Sequence, residues 1–157
     1  MPHFSTDRAV RHTAGEMFAL VADIEKYPEF VPLCERLVVR SRRDDGSKQV
    51  LIADMTVAYK IVRETFTTKV VIDPDGQTIR ADYLDGPFKH LENIWIFADA
   101  EAGTSTVKFW IDYEFRSRTL SMLMGAVFDK AFRKFTDAFE KRADVIYGGV
   151  GATSALR

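Results

Sequence analysis

The sequence predicts an α+β fold: a curved antiparallel β-sheet of six to seven strands wrapped around one long C-terminal helix, with two short helices after the first strand. Three observations carry this. From Leu37 to Phe115 apolar and polar residues alternate with period two, broken at short intervals by Asp, Gly and Pro. From Thr119 to about Tyr147 the apolar residues move to helical spacing. Between Asp23 and Cys34, Pro28 and Pro32 break the chain into short pieces.

Phe4 to His12 is short and mixed, consistent with a first strand. Thr13-Ala-Gly-Glu16 follows as a capping-box pattern ahead of Met17, Phe18, Leu20 and Val21, so a short helix starts there. The proline-broken segment then gives a second short or broken helix. Turn residues at Asp44-Asp-Gly46, Asp73-Pro-Asp-Gly76, Asp85-Gly-Pro87 and Asp99-Ala-Glu-Ala-Gly103 divide the alternating region into a meander. One further turn, at Tyr59-Lys60, lacks glycine and shows only as a switch of parity, from Met55, Val57, Tyr59 to Val62, Phe66, Thr68, Val70. Leu120, Leu123, Met124, Val127, Phe128, Ala131, Phe135, Ala138 and Phe139 stripe the last helix, with Gly148-Gly149 as its stop. Its roughly 29 residues would span about 43 Å. Residues 1–149 read as one ligand-binding domain and 150–157 as a flexible tail.

A chain of 157 residues with 46% hydrophobic residues and twelve phenylalanines builds a core without disulfides. The formal net charge of −1 excludes the overall positive field of a protein that lives on nucleic-acid phosphates, so DNA is not an expected partner. Cys34 is the single cysteine, and the start MPHFSTDRAVRH lacks the apolar run of a secretory signal. The expected location is cytoplasmic, with peripheral contact at the inner face of the membrane left open. Thr119 to Phe128 is far short of the ~20 residues a membrane span needs.

A sheet that closes incompletely over one helix leaves an apolar pocket between them; this is the helix-grip arrangement. Complete filling of that space by Phe and Met is the alternative. Alternating strand direction puts the turns at Tyr59-Lys60, Asp85 to Phe88 and Arg116 to Thr119 at one end, together with the segment Pro32 to Glu35. A pocket mouth is expected at that end.

The segment Asp23-Ile-Glu-Lys-Tyr-Pro-Glu-Phe-Val-Pro-Leu-Cys34, the turn Asp85-Gly-Pro-Phe88, Trp95-x-Phe97 and Asp112-Tyr-Glu-Phe115 resemble the coenzyme Q-binding branch of the START-related superfamily. That branch includes proteins labelled polyketide cyclases and ribosome association toxins. The resemblance covers residues 3 to 147 and implies a START-like helix-grip fold whose cavity binds ubiquinone or its isoprenoid tail, as a carrier or chaperone supporting respiratory electron transport. A hydrophobic small molecule is then the main partner, no cofactor is required, and contact with a respiratory complex stays open. Leu33 departs from the pattern, since relatives often have tryptophan there.

Tyr27, Phe30, Val31 and Pro32 are candidates for one lip over the pocket, and Gly86, Pro87 and Phe88 for the other. Structural connector and plain turn are the competing readings. Inward parity adds Tyr59, Phe66, Tyr83, Trp95 and Phe115 from the strands, with Met124, Val127 and Phe128 from the helix. Cys34 has no local basic partner and reads as an inert buried thiol. Glu64 falls on the inward parity, where it would pair with Lys60 or an arginine, or offer a protonated carboxyl to a quinone carbonyl.

His3, His12 and His90 are scattered, and no metal-spaced Cys/His set, Ser-His-Asp pattern or phosphate-binding loop occurs. An enzyme of cyclase or aromatase type is therefore not expected. Ribosome binding remains the alternative from a different class: Arg36, Arg40, Arg42, Arg43 and Lys48 face only Asp44 and Asp45 in their hairpin. The same cations could meet anionic lipid headgroups or solvent.

Overall fold

The computed structural model describes residues 3–148. Strand β1 (His3–Val10) leads to helix α1 (Ala14–Ala22) and a 3-10 helix (Ile24–Glu29). Six strands follow: β2 (Cys34–Asp45), β3 (Lys48–Tyr59), β4 (Val62–Asp73), β5 (Thr78–Asp85), β6 (Phe88–Asp99) and β7 (Ser105–Phe115). Helices α2 (Arg118–Arg133) and α3 (Phe135–Tyr147) end the described chain. All neighbouring strands are antiparallel, in the order β1-β7-β6-β5-β4-β3-β2, so β2 to β7 form the expected meander and β1 adds to its far edge. The tail at 150–157 and Gly149 lie outside the described residues.

The capping box forms as read: Thr13 Oγ1 accepts from the Glu16 amide at 3.1 Å and the Thr13 amide donates to Glu16 Oε1 at 2.9 Å. A second anchor places α1 on the sheet, because the Ala14 amide donates to Asp99 Oδ1 at 2.9 Å. Pro28 is accommodated inside the 3-10 helix, whose exit is closed by the Val31 amide donating to the Tyr27 carbonyl at 2.8 Å. The connector from there to β2 passes through Leu33 at φ 67°, a left-handed conformation that a leucine rarely adopts.

The glycine-free turn exists. Tyr59 pairs with Val62, and Lys60 turns the chain at φ 55°. At the next turn of that end glycine is obligatory. Gly86 has φ 140°, and a Cβ on it would lie 2.6 Å from the Phe66 Cβ and 2.9 Å from the Phe66 Cα. The register slip between Thr67 and Thr68 brings β5 that close to β4.

The C-terminal helix is not continuous. Lys134 closes α2 with its amide donating to the Ala131 carbonyl at 3.0 Å, and α3 starts at Phe135. Neither proline nor glycine causes the break. It lies where Phe132 and Phe135 pack edge to face at 5.1 Å and Phe135 reaches Phe109 on β7 at 5.8 Å. These aromatic contacts accompany a break of one residue, Lys134, a tertiary effect that periodicity alone does not carry. Among the described residues no helix is long and apolar enough to cross a membrane.

Candidate functional site

A cavity of about 100 Å³ lies between the concave sheet face and the C-terminal helices. Ile24, Tyr27, Pro32 and Leu33 of the connector close one side, beside Leu37 of β2. The floor is Ala53, Met55 and Val57 of β3, Phe66, Thr68 and Val70 of β4, Ile79 and Ala81 of β5, Leu91, Asn93 and Trp95 of β6, and Ile111 of β7. The roof is Phe128, Ala131 and Phe132 of α2 with Phe135 and Phe139 of α3.

Three alanines explain why space remains. Ala53, Ala81 and Ala131 occupy wall positions on two central strands and on the helix above them, amid aromatic and branched neighbours. Interiors normally pack to crystal density, so small residues at facing positions leave a void unless larger neighbours compensate. Polar groups on the wall are few. Thr68 is buried, and Asn93 donates through Nδ2 to the Trp110 carbonyl at 2.9 Å. The Tyr27 hydroxyl donates to the Val21 carbonyl at 2.5 Å. Burial, with Cys34 and Asp23 nearby, pushes its pKa far above the ordinary phenol range, so it stays neutral.

Of the residues expected to contact ligand, Tyr27, Pro32, Phe66, Trp95 and Phe128 line this cavity. Val31, Tyr59, Tyr83, Gly86, Pro87, Phe88, Phe115, Met124 and Val127 lie outside its wall, and Phe30 faces a separate outer groove with Arg142 over its ring at 5.0 Å. The expected mouth is plugged. Phe88 is fully buried at the centre of an aromatic cluster, stacked on Phe115 at 4.9 Å and packed against Phe66 at 5.3 Å and Tyr83 at 5.7 Å. The Tyr83 hydroxyl accepts from the Phe88 amide at 3.1 Å, which secures the β5–β6 turn. The close approach that requires Gly86 is to Phe66 of β4.

Leu33, Leu37, Asn93, Phe132, Phe135 and Phe139 join the wall without having been singled out from sequence as ligand contacts. For the alanines a signal existed: small residues at inward parity among aromatics. For Leu33 it was the departure from the family pattern.

Cys34 is buried, its thiol 3.8 Å from the Arg36 carbonyl, and burial pushes its pKa up to about 11. Glu64 is half-buried, off the cavity wall, and forms none of the expected ion pairs with Lys60 or an arginine among the described residues; the adjacent Arg63 is bound to Glu35 at 2.7 Å. The histidines stand off the cavity wall. His12 is buried with Nε2 2.7 Å from Asp144 Oδ1, His90 lies 3.1 Å from Asp112, and His3 packs edge-on to Trp110. Tyr113 is the notable buried hydroxyl: it has no hydrogen-bond partner among the described residues. Burial, then the nearby Asp129, raises its pKa to about 12.

The fold agrees with what comparison finds. Residues 10–140 match the family described as polyketide cyclase/dehydrase and lipid transport. The chain belongs to that family. The relationship expected from the Tyr-Pro-x-Phe-Val-Pro segment and the Gly-Pro-Phe turn is thereby borne out. Within the polyketide cyclase/dehydrase and lipid transport family, the ribosome association toxin RatA of Vibrio cholerae is 31% identical over 94% of this chain and 99% of its own. The mitochondrial coenzyme Q-binding protein COQ10 homolog B of Xenopus laevis is 34% identical over 92% of this chain and 59% of its own. Among solved structures of this fold, the solution structure of the 18 kDa protein CC1736 from Caulobacter crescentus is 33% identical and superposes with a TM-score of 0.77, covering 95% of this chain and all of that one, 100%.

Proposed function

We propose that the protein binds a hydrophobic isoprenoid quinone, ubiquinone in the first instance, in the cavity between sheet and helices and carries it without transforming it, in support of respiratory electron transport. The observation that carries this reading is the wall itself. It is almost wholly apolar, and among the described residues no carboxylate, histidine, lysine or arginine faces it. Acid–base chemistry needs a group positioned to move a proton, and Tyr27 is held neutral on a backbone carbonyl. Binding of an isoprenoid needs only apolar surface, at about 25 cal/mol per Å² removed from water. Similarity to a protein named for coenzyme Q binding supports the same choice of ligand.

Size adds a requirement. A cavity of about 150 Å³ holds one benzene ring, whereas this one is about 100 Å³. A prenylated quinone therefore enters only as the wall opens. Two irregular wall segments suit that motion: the connector through Pro32 and Leu33, and the helix break at Lys134 beside Ala131 and Phe135.

The test is organic extraction of purified protein followed by mass spectrometry. Quinone is expected in the extract, or is taken up when supplied; neither occurring would sink the carrier reading. Phe128→Asp places a charge on the roof and is expected to abolish loading.

Ribosome binding is the second reading, supported by similarity to a ribosome association toxin across nearly that protein's full length. The basic hairpin supports it less than its composition suggests, because Arg40 pairs with Asp54 and Arg42 with Glu25. Sedimentation of ribosomal subunits with added protein separates the readings: a carrier leaves subunit joining unchanged.

A further inference from the structure

We infer that the end of the molecule formed by the β3–β4 turn, the β5–β6 turn and the start of α2 is a docking surface for an anionic lipid bilayer. The antiparallel register places these three segments at one end of the sheet. Four large apolar side chains there have no role in the fold. Ile61 is 100% exposed at the tip of the β3–β4 turn, Met122 is 85% exposed, Leu123 61% and Leu84 52%. Turns favour Gly, Asn, Asp and Pro, so a fully exposed β-branched residue at a turn tip is not explained by turn chemistry.

Helix α2 repeats the anomaly. Leu120 and Met124 face the core, while Met122 and Leu123 turn to solvent beside Arg118, Thr119 and Ser121, so large apolar side chains stand on the uncovered side of its first two turns. An amphipathic surface helix normally keeps that side polar. Apolar surface gathered this way marks an interaction site.

Charge selects the partner. At this end Arg63 is engaged by Glu35, Lys89 by Glu114, and Arg116 donates through Nε to the Phe88 carbonyl at 2.9 Å, but Lys60 and Arg118 have no carboxylate partner among the described residues, and Asp85 is the lone acid of the β5–β6 turn. The opposite end carries Asp44, Asp45, Asp73, Asp75, Asp99 and Glu101 against Arg42, Arg43 and Lys48, with Arg42 paired to Glu25. The molecule is thus polarised along its strands, with exposed apolar side chains and unpaired cations at one end and an excess of acids at the other. A membrane with anionic headgroups attracts that end and repels the other, and its acyl region accepts Ile, Leu and Met side chains. Nucleic acid would match the cations but gives such side chains nothing to enter. This surface is independent of what the cavity holds.

The intact chain is sedimented with vesicles of phosphatidylcholine containing phosphatidylglycerol, and with vesicles of phosphatidylcholine alone. Binding is expected to the anionic vesicles, weaker to the neutral ones, and weakened by salt. Ile61→Ser and Met122→Ser should each lower the partition coefficient about tenfold. Lys60→Gln and Arg118→Gln should each lower it about fivefold on anionic vesicles and leave neutral vesicles unaffected. All four positions are exposed, so melting temperatures should not change; the readout is vesicle affinity at constant fold. Failure to bind anionic vesicles, or affinity unchanged in the combined Ile61→Ser, Met122→Ser variant, overturns the inference. So does loss of ribosomal-subunit binding or of a dimer in those variants without any vesicle binding, which would assign the surface to RNA or to a second copy. Quinone extraction reads the cavity separately, so either result can fail alone.

Discussion

If the cavity is the binding site, filling it should stabilise the empty protein and abolish the response to ligand. Ala53 on β3 and Ala131 on α2 are the places to do this, since both are buried wall residues and the one capping contact either makes, Lys134 amide to Ala131 carbonyl, is made by the backbone that a side-chain change keeps. Residual cavities cost about 24 cal/mol per Å³, so 100 Å³ of void corresponds to about 2.4 kcal/mol. Ala53→Leu and Ala131→Leu together recover at most that amount, less whatever strain the added methyl groups create. For a chain of this length each kcal/mol moves the melting temperature by about 2–4 °C. The double variant should therefore melt up to roughly 5–10 °C higher than the parent. Ligand at a hundredfold excess over its dissociation constant contributes about 2.7 kcal/mol, so the parent should gain a similar shift from a short-tailed ubiquinone analogue. The filled variant should gain none. Melting curves by circular dichroism with and without the analogue give all four numbers. A filled variant that keeps its ligand-dependent shift would show that the ligand binds elsewhere.

Four other substitutions test the packing. Tyr113→Phe removes a buried hydroxyl without a partner and should leave stability unchanged or raise it by about 1 kcal/mol in urea unfolding; a clear loss would reveal a hidden partner. Gly86→Ala drives a methyl into the Cβ and Cα of Phe66 at a positive φ and should cost about 1–3 kcal/mol; Phe66→Ala keeps both of those atoms and should not relieve that cost in a double-variant cycle. The fold should also weaken in alkali. Cys34, normally near 9.0, sits at about 11, and Tyr113, normally near 10.0, at about 12, so both favour the protonated state when folded. Their contribution is complete below about pH 9 and is lost as pH rises through 11 and then 12. Cys34→Ala should flatten the pH dependence of unfolding free energy between pH 9 and 11; an identical slope would refute the burial argument.

Local rules made most of the architecture legible. Thr13 and Glu16 announced α1, Asp-Gly clusters announced the hairpins, and the parity switch at Tyr59 located a turn with no glycine in it. The site was legible only in part, because facing inward and touching the cavity are different properties. Phe88, Phe115 and Met124 all face inward, yet they interlock and fill their end of the grip. Large aromatic residues were read as pocket lining, whereas a void is defined by the residues too small to fill it. Parity places Ala53, Ala81 and Ala131 correctly but says nothing of whether neighbours close over them. The helix break at Lys134 was likewise invisible, being imposed by contacts of Phe132 and Phe135 across the core.

Departures from local consistency converge on one place. Leu33 occupies a left-handed conformation that costs about 1–3 kcal/mol for a non-glycine residue. Alanines stand at wall positions where larger side chains would fill the void. Helix α2 stops at Lys134 without a helix-breaking residue, between wall residues Ala131 and Phe135. Each of these departures by itself has a local explanation, but all three border the same cavity, while the other left-handed non-glycine residues, Lys60 and Gln77, sit in hairpin turns away from it. Small wall residues, a strained connector and a helix break around one void keep that void open against the pull of packing. The proposed binding cavity thus coincides with where the fold accepts cost, and the aromatic plug of Phe88, Phe115 and Phe128 seals the end nearest the exposed apolar tip. A ligand arriving from that tip must then pass beside the plug, along the connector or the helix break, which are the irregular segments of the wall.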